Sequence, residues 1–288
     1  MSSSERRTGA KLEVRHLSKS FKVGSETFGR SSWVKAVNDV SLTVEAGTTM
    51  GLVGESGSGK TTVARMATRL IVPDEGEVLV DGRNIFSREV RSRKFARLVQ
   101  IVFQDPTSSL NPRWKVGSLI GEGIAVHGLR PRGEIAARVA ELAGLCGLSP
   151  DMLDRFPHEF SGGQRQRIAI ARALAVEPSV VVLDEPVSAL DVSVQAQILV
   201  LLQDLQAEFG LTYLLIAHDL AVVERFCSRI AVMRKGEIVE TGDPAEVHRN
   251  PQHPYTKALI EAHPEPDPHK RKKLPLKEAV SGDETWQQ

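Results

Sequence analysis

The residues with the clearest chemistry are Gly54-Glu55-Ser56-Gly57-Ser58-Gly59-Lys60-Thr61. They fit the spacing G-x-x-x-x-G-K-[ST], in which glycines let successive backbone N–H groups turn inward onto a polyphosphate. In that arrangement Lys60 reaches the β- and γ-phosphates and the Thr61 hydroxyl holds Mg²⁺. Thr62 then opens a helix whose N-terminus adds positive partial charge. A flexible Gly/Ser loop is the plain alternative. Against it, Met50-Gly51-Leu52-Val53 reads as a buried strand before the loop and Thr62-Val63-Ala64-Arg65-Met66 as a helix after it. The loop points to a nucleoside triphosphate but does not separate ATPase, GTPase and kinase.

Further apolar runs also end in residues suited to phosphate chemistry: Phe103 leads to Gln104, Leu183 to Asp184-Glu185, and Ala217 to His218. Ligands of open α/β sheets bind beyond the carboxyl ends of the strands, so one crevice is expected to collect them all. Asp184, closing a β-branched run, suits the acid that holds Mg²⁺. Glu185 is expected to face differently by strand alternation and to orient or deprotonate an attacking water. Gln104 is placed to reach both metal and water, and His218 to meet the γ-phosphate through an imidazole N–H. Each has a plainer alternative: a turn for Asp184-Glu185-Pro186, a loop amide for Gln104, a structural imidazole for His218.

Phe160-Ser161-Gly162-Gly163-Gln164-Arg165-Gln166-Arg167 opens another helix. Ser161 with Gln164 reads as a capping box. That leaves two glycines in the first turn unexplained, each costing about 1 kcal/mol against alanine. Bare backbone at a helix N-terminus suggests close approach by an anion. Because this helix falls away from the phosphate loop in the expected layout, a second nucleotide-bound subunit would supply that anion.

The elements that must position these groups follow from patterning. Leu12 to Leu17 alternates as a half-exposed strand, and Gly24 to Ser32 reads as a loop. Val34 to Val37 and Val40 to Val44 read as two strands separated by an Asn38-Asp39 turn. The helix after the phosphate loop is expected to reach Arg69-Leu70, and Gly76 to Arg83 is a strand entering an Asp-Gly turn. Asp105 to Pro112 breaks regular structure. Helices are expected over Val116–Ala125 and Arg132–Leu145, with no strand pattern until after Pro178. Val180 to Leu183 and Thr212 to Ala217 read as strands buried on both faces, flanking a helix from Val192 to Phe209. Ile230 to Val239 reads as a hairpin.

Composition narrows the function classes. The 288 residues carry a net charge of +1, which gives no bulk electrostatic case for nucleic acid or an anionic membrane. The two cysteines, Cys146 and Cys227, have no metal-type spacing, so a reducing compartment is the default. No apolar run approaches the ~20 residues needed to span a bilayer.

Taken together, the phosphate loop, Gln104, Ser161-Gly162-Gly163-Gln164, Val181-Val182-Leu183-Asp184-Glu185, Ser188-Ala189-Leu190-Asp191 and His218 resemble the nucleotide-binding subunit of an ABC transporter. The resemblance covers roughly Lys11 to Asp243. It implies an α/β fold: a phosphate-loop (RecA-like) ATPase core, an antiparallel β subdomain and an inserted helical subdomain over about residues 105–177. It also implies a head-to-tail dimer sandwiching two ATP molecules. There Ser161, Gly162, Gly163 and Gln164 would bind the partner's nucleotide and Asp191 would cross the interface. Glu185, His218 and Gln104 would be catalytic, Thr61, Gln104 and Asp184 would hold Mg²⁺, and Phe21 would stack on adenine, although a strand aromatic serves equally well there.

A narrower resemblance, to oligopeptide/dipeptide and nickel importer ATPases, rests on Phe103 to Pro112 and on Asn250-Pro251-Gln252-His253-Pro254-Tyr255-Thr256-Lys257-Ala258-Leu259. It implies a second ATPase subunit, of a different chain, two transmembrane permease subunits and an extracytoplasmic substrate-binding protein. The chain would sit on the cytoplasmic face of the membrane without touching nucleic acid. Some relatives bind an iron–sulfur cluster through C-terminal cysteines. This chain has none after Cys227, so no cluster is expected. The expected division is a disordered leader over 1–10, a nucleotide-binding domain over 11–245 and a C-terminal extension with solvated tail over 246–288. A soluble ABC ATPase acting on ribosomes or nucleic acid, an inert partner subunit, and an importer of nickel or a sugar-derived compound are the competing readings. The Asn-Lys-x-Asp guanine-reading motif is absent.

Overall fold

The computed structural model describes residues 9–23, 32–87 and 96–262. Residues 1–8 of the expected leader over 1–10, residues 24–31 of the expected loop, and the tail after 262 lie outside the described residues; Gly9 and Ala10 are described, and Ala10 is buried. From the N-terminus, β1 (Leu12–Val23) pairs antiparallel with β2 (Ser32–Val44). Next come β3 (Thr49–Val53), α1 (Lys60–Ala67), β4 (Glu75–Val80), β5 (Arg83–Asn84) and β6 (Val99–Val102). The chain continues through α2 (Pro106–Ser109), α3 (Val116–His127), α4 (Ile135–Leu145) and α5 (Gly162–Leu174) to β7 (Val180–Asp184). It closes with α6 (Val192–Phe209), β8 (Thr212–Ala217), α7 (Leu220–Phe226), β9 (Arg229–Arg234), β10 (Glu237–Gly242), α8 (Pro244–Arg249) and α9 (Pro254–Ala262).

Among the described residues the strands form two sheets. One, ordered β2-β1-β4-β5, is antiparallel throughout. The other is ordered β10-β9-β3-β8-β7-β6 and is parallel except at β10, the edge strand of a hairpin. Every residue of β3, β7 and β8 is buried, as continuous apolar strands with both faces covered require. Alternation divides their side chains between two cores. Tyr213, Leu215 and Ala217 join the helices α3 to α6, while Leu214 and Ile216 join α1 and the antiparallel sheet. Described elements between β6 and β7 are all helical.

Local chemistry moves several boundaries. The expected Asn38-Asp39 turn is instead a kink within a continuous β2. Asp39 is left-handed (φ 52°), His16 opposite it is left-handed too (φ 51°), and the β1–β2 register slips there. Helix α1 stops at Ala67 rather than Arg69-Leu70. The Thr68 hydroxyl bonds the Ala64 carbonyl, Arg69 turns left-handed, and the Leu70 N–H returns to the Arg65 carbonyl. Asp105 to Pro112 is not wholly irregular. The Asp105 carboxylate accepts the Thr107 and Ser108 N–H groups and caps the single turn of α2, with Pro106 at its first position. The Pro/His-rich segment after β10 also folds: Asp243 caps α8 in the same way.

Candidate functional site

The loop after β3 is shaped by its glycines. Gly54 has φ 153°, and a Cβ there would lie 2.2 Å from the Met233 carbonyl oxygen. Gly59, with φ 109°, would meet the Ala36 carbonyl oxygen at 2.3 Å. Neither position admits another residue, so the loop can curl tightly around Lys60. Lys60 is 4% exposed, and its ammonium donates to the carbonyl oxygens of Gly54 (2.7 Å) and Glu55 (2.8 Å). Burial pushes its pKa down, while the carboxylates of Glu185, Asp184 and Glu55 oppose that shift. This is a cation held where triphosphate oxygens would replace carbonyl oxygens.

The adjacent strands deliver the remaining groups. Asp184, buried at the end of β7, accepts the Thr61 hydroxyl at 3.3 Å. Its pKa is raised, first by burial and further by Glu185, against the Thr61 bond and the charges of Arg65 and Lys60. Thr61 and Asp184 thus form a pair of hard oxygen donors of the kind Mg²⁺ takes. Glu185 meets different partners from Asp184, and strand alternation is not the reason. The strand ends at Asp184, and Glu185 takes a left-handed backbone (φ 48°), a strained conformation for a residue with a Cβ. Its Oε2 accepts from the Gln104 side-chain amide at 3.1 Å and lies 3.1 Å from His218 Nδ1. With Nδ1 engaged there, any phosphate contact of His218 falls to Nε2. Gln104 also donates to the Ser188 hydroxyl at 3.3 Å, which leaves its amide oxygen for a metal or water.

A cleft of about 530 Å³ is lined by Ser56, Gly57, Gly59, Lys60, Thr61 and Thr62 together with Gln104, Glu185 and His218. The remaining wall is Ala36 of β2, which the sequence reading missed. A small residue in an alternating strand carries no local signal, and only the docking of the antiparallel sheet brings it to the loop. Phe21 does not line this cleft. It lies on β1 opposite Val34, partly exposed, with the Lys19 ammonium 5.8 Å from its ring centre. Ser161, Gly162, Gly163, Gln164 and Asp191 do not line it either.

The start of α5 has its own internal explanation. The Ser161 hydroxyl accepts the Gln164 N–H at 3.3 Å and the Gln164 side chain accepts the Ser161 N–H at 3.0 Å, closing the capping box. Gly163 is buried, and a Cβ there would lie 2.5 Å from Val194 Cγ1 of α6. Close approach of another helix, not only of a ligand, therefore accounts for one of the two glycines. Gly162 is exposed, with Leu190 Cδ2 at 3.3 Å from its Cβ position. Asp191 is exposed at the start of α6, and its side chain makes no cap bond to that helix.

Comparison with known proteins agrees with this geometry. Residues 37–188 match the ABC transporter family, and residues 239–285 match the oligopeptide/dipeptide transporter C-terminal region. The oligopeptide transport ATP-binding protein OppF of Bacillus subtilis is 50% identical over 260 residues, 89% of this chain and 83% of that protein. The dipeptide transport ATP-binding protein DppF of Lactococcus lactis is 48% identical over 272 residues, 92% and 85% of the two chains. Among solved structures, the dimeric ATP-binding cassette MJ0796 in a post-hydrolysis state bound to ADP and Pi superposes with a TM-score of 0.71. It is 29% identical, with coverage of 81% of this chain and 98% of that one. CbiO1 of Clostridium perfringens, part of the complex cbiONQ, gives 0.71 at 30% identity over 84% and 92% of the chains.

Two outcomes follow from the packing and the burial. Gly163→Ala is expected to destabilise the chain by about 1–3 kcal/mol in chemical denaturation. Adding Val194→Ala should recover most of that loss, because the next nearest atom, Val194 Cβ, is 3.9 Å away. Asp184→Asn should raise Tm, read by thermal denaturation, since it removes a carboxylate whose ionised form burial disfavours. The sign is fixed by the raised pKa: the folded state holds this proton more tightly than the unfolded chain, so ionisation costs stability. Mg²⁺-dependent ATP binding, followed by calorimetry, should fall in the same variant.

Proposed function

The chain belongs to the ABC transporter ATPase family, and from that premise we propose that it powers an importer of oligopeptides or dipeptides. One observation carries the ATPase part of this reading: phosphate loop, Gln104, Glu185 and His218 line a single cleft. The peptide part rests on the 50% identity to OppF along 89% of the chain and on the match of its C-terminal region to oligopeptide/dipeptide transporters.

In this reading ATP is the substrate. The loop amides and Lys60 bind its β- and γ-phosphates, where the buried ammonium offsets negative charge in a site partly shielded from water. Thr61, Asp184 and Gln104 would hold Mg²⁺, and their oxygen atoms fit a hard divalent cation. When bound, that ion would neutralise part of the triphosphate's negative charge. Glu185 orients a water and accepts its proton as the water oxygen attacks the γ-phosphorus. The bond from that phosphorus to the bridging oxygen breaks, giving ADP and inorganic phosphate. Gln104 and His218 both hold Glu185 Oε2, so they fix the carboxylate and leave Oε1 toward the water.

Ser161, Gly162, Gly163 and Gln164 do not line this chain's own cleft, so their nucleotide would be a partner's, in a head-to-tail dimer that Asp191 helps to close. The two glycines in the first turn of α5 and the Asp191 carboxylate, which makes no cap bond to α6, support that arrangement. Phe21 is assigned to the adenine. Residues 11–245 would then be the nucleotide-binding domain, with the helical part over about 105–177 engaging two permease subunits. The residues after 245 form the family-specific extension, which carries no iron–sulfur cluster. The second ATPase would be a related chain, and an extracytoplasmic binding protein would deliver substrate. No helix among the described residues is long and apolar enough to cross a membrane, so attachment to the cytoplasmic face falls to the permeases. This reading includes no direct contact with nucleic acid.

Glu185→Gln is expected to keep ATP binding and trap a closed dimer while kcat falls at least 100-fold, read by phosphate release and by size-exclusion chromatography with ATP. Lys60→Ala should lose nucleotide affinity outright. The intact assembly should copurify with two integral membrane proteins. Copurification with ribosomes or DNA instead would overturn the transport reading.

A further inference from the structure

The segment Asn250 to Leu259 lies outside the nucleotide motifs, yet it touches the phosphate loop. The Glu55 N–H donates to the Tyr255 hydroxyl at 3.0 Å, a contact bridging 200 positions of sequence. On its other side Glu55 is also held. Its carbonyl oxygen accepts from the Lys60 ammonium at 2.8 Å and from the Ser58 N–H at 3.2 Å. The first turn of the loop is therefore bonded from within by Lys60 and from outside by Tyr255.

Tyr255 is itself fixed in place. Its ring lies 4.9 Å from the Arg234 guanidinium at the end of β9, within cation–π range. The hairpin that follows donates the Gly236 N–H to the Ser58 carbonyl oxygen at 2.9 Å, so the same element braces both tyrosine and loop. The Glu240 carboxylate of β10 accepts the N–H groups of Gln252 (2.8 Å) and His253 (3.0 Å), and His253 Nδ1 accepts the Tyr255 N–H at 3.1 Å. Leu259, one turn further along α9, is buried in the helical core.

We propose that Tyr255 is a positioning residue for nucleotide binding: its hydroxyl pins Glu55 so that the phosphate loop is held in its binding shape. This deepens the ATP-binding reading of the cleft and rests on it. Ser56 and Gly57 follow Glu55 directly and line the cleft, and a Cβ on Gly57 (φ 79°) would meet nothing within 4 Å. A stretch so loosely packed would lose much backbone freedom on closing around a triphosphate. Fixing the preceding residue removes part of that cost in advance. The hydroxyl alone reaches the loop, while the ring alone meets Arg234, so Tyr255→Phe separates the two contacts.

The test compares full-length wild type with Tyr255→Phe by ATP calorimetry in Mg²⁺ and by hydrogen exchange at the Glu55 amide. Y255F is expected to raise Kd and KM for ATP about two- to tenfold, as loss of one hydrogen bond does. Its kcat should stay at the wild-type value, its Tm should fall only slightly, and the Glu55 amide should exchange faster. An unchanged Kd overturns the proposal, as does a raised Kd with unaltered exchange at Glu55. Should Y255F fail to fold, Glu240→Gln, which loosens the start of α9 while leaving Tyr255, takes its place under the same two readouts. Wild-type protein that binds no ATP would sink the nucleotide reading itself, whereas equal binding by both proteins sinks only the role of Tyr255.

Discussion

A lysine ammonium enclosed by the oxygens of its own loop is the contact on which the site depends. An ammonium taken from water costs several kcal/mol unless it finds close partners. Lys60 finds two carbonyl oxygens, with three carboxylates nearby that favour its charge. To present those oxygens the chain must curl, and it can do so only because Gly54 and Gly59 accept backbone conformations and approaches that a Cβ would forbid. The same curl leaves Ser56, Gly57, Gly59, Lys60 and Thr61 lining the cleft. Cation, loop shape and cleft wall are thus one arrangement, not separate features.

The parallel sheet makes that loop part of a larger site. In the order β3-β8-β7-β6 the neighbouring strands end at the phosphate loop, His218, Asp184-Glu185 and Gln104. Parallel pairing points all four ends the same way, so groups distant in sequence meet without any loop having to reach far. What the sheet does not supply is the orientation of Glu185. That comes from a left-handed residue immediately after the strand, held by two side-chain contacts to one carboxylate oxygen. Strain of this kind persists where surrounding contacts over-determine it.

The start of α5 shows that a glycine there has a packing cause. Gly163 admits Val194, which locks the helical region onto α6, and Gly162 beside it is exposed. Glycine at such a position does not by itself reveal a ligand. Asp191, set at the start of α6 with no cap bond to make, is the residue here whose polarity lacks a local structural use.

Much of this was legible from residue types alone, because the governing physics is local. Gly54 to Thr61 announces a phosphate loop, and Val180 to Leu183 and Thr212 to Ala217 announce strands buried on both faces. Ser161 with Gln164 announces a capped helix, which formed as read. Errors fell where a side chain reached back to its own backbone. Thr68 ended α1 early, and Asp105 capped a helix in a proline-containing stretch that looked irregular. Tertiary structure alone decided that Ala36 walls the cleft, that Val194 fills the space beside Gly163, and that Tyr255 meets Glu55. Those contacts join elements remote along the chain, and neither periodicity nor spacing encodes which surfaces will dock. The sequence determined which groups could do the chemistry; the packing of two sheets and a helical layer decided which of them share a site.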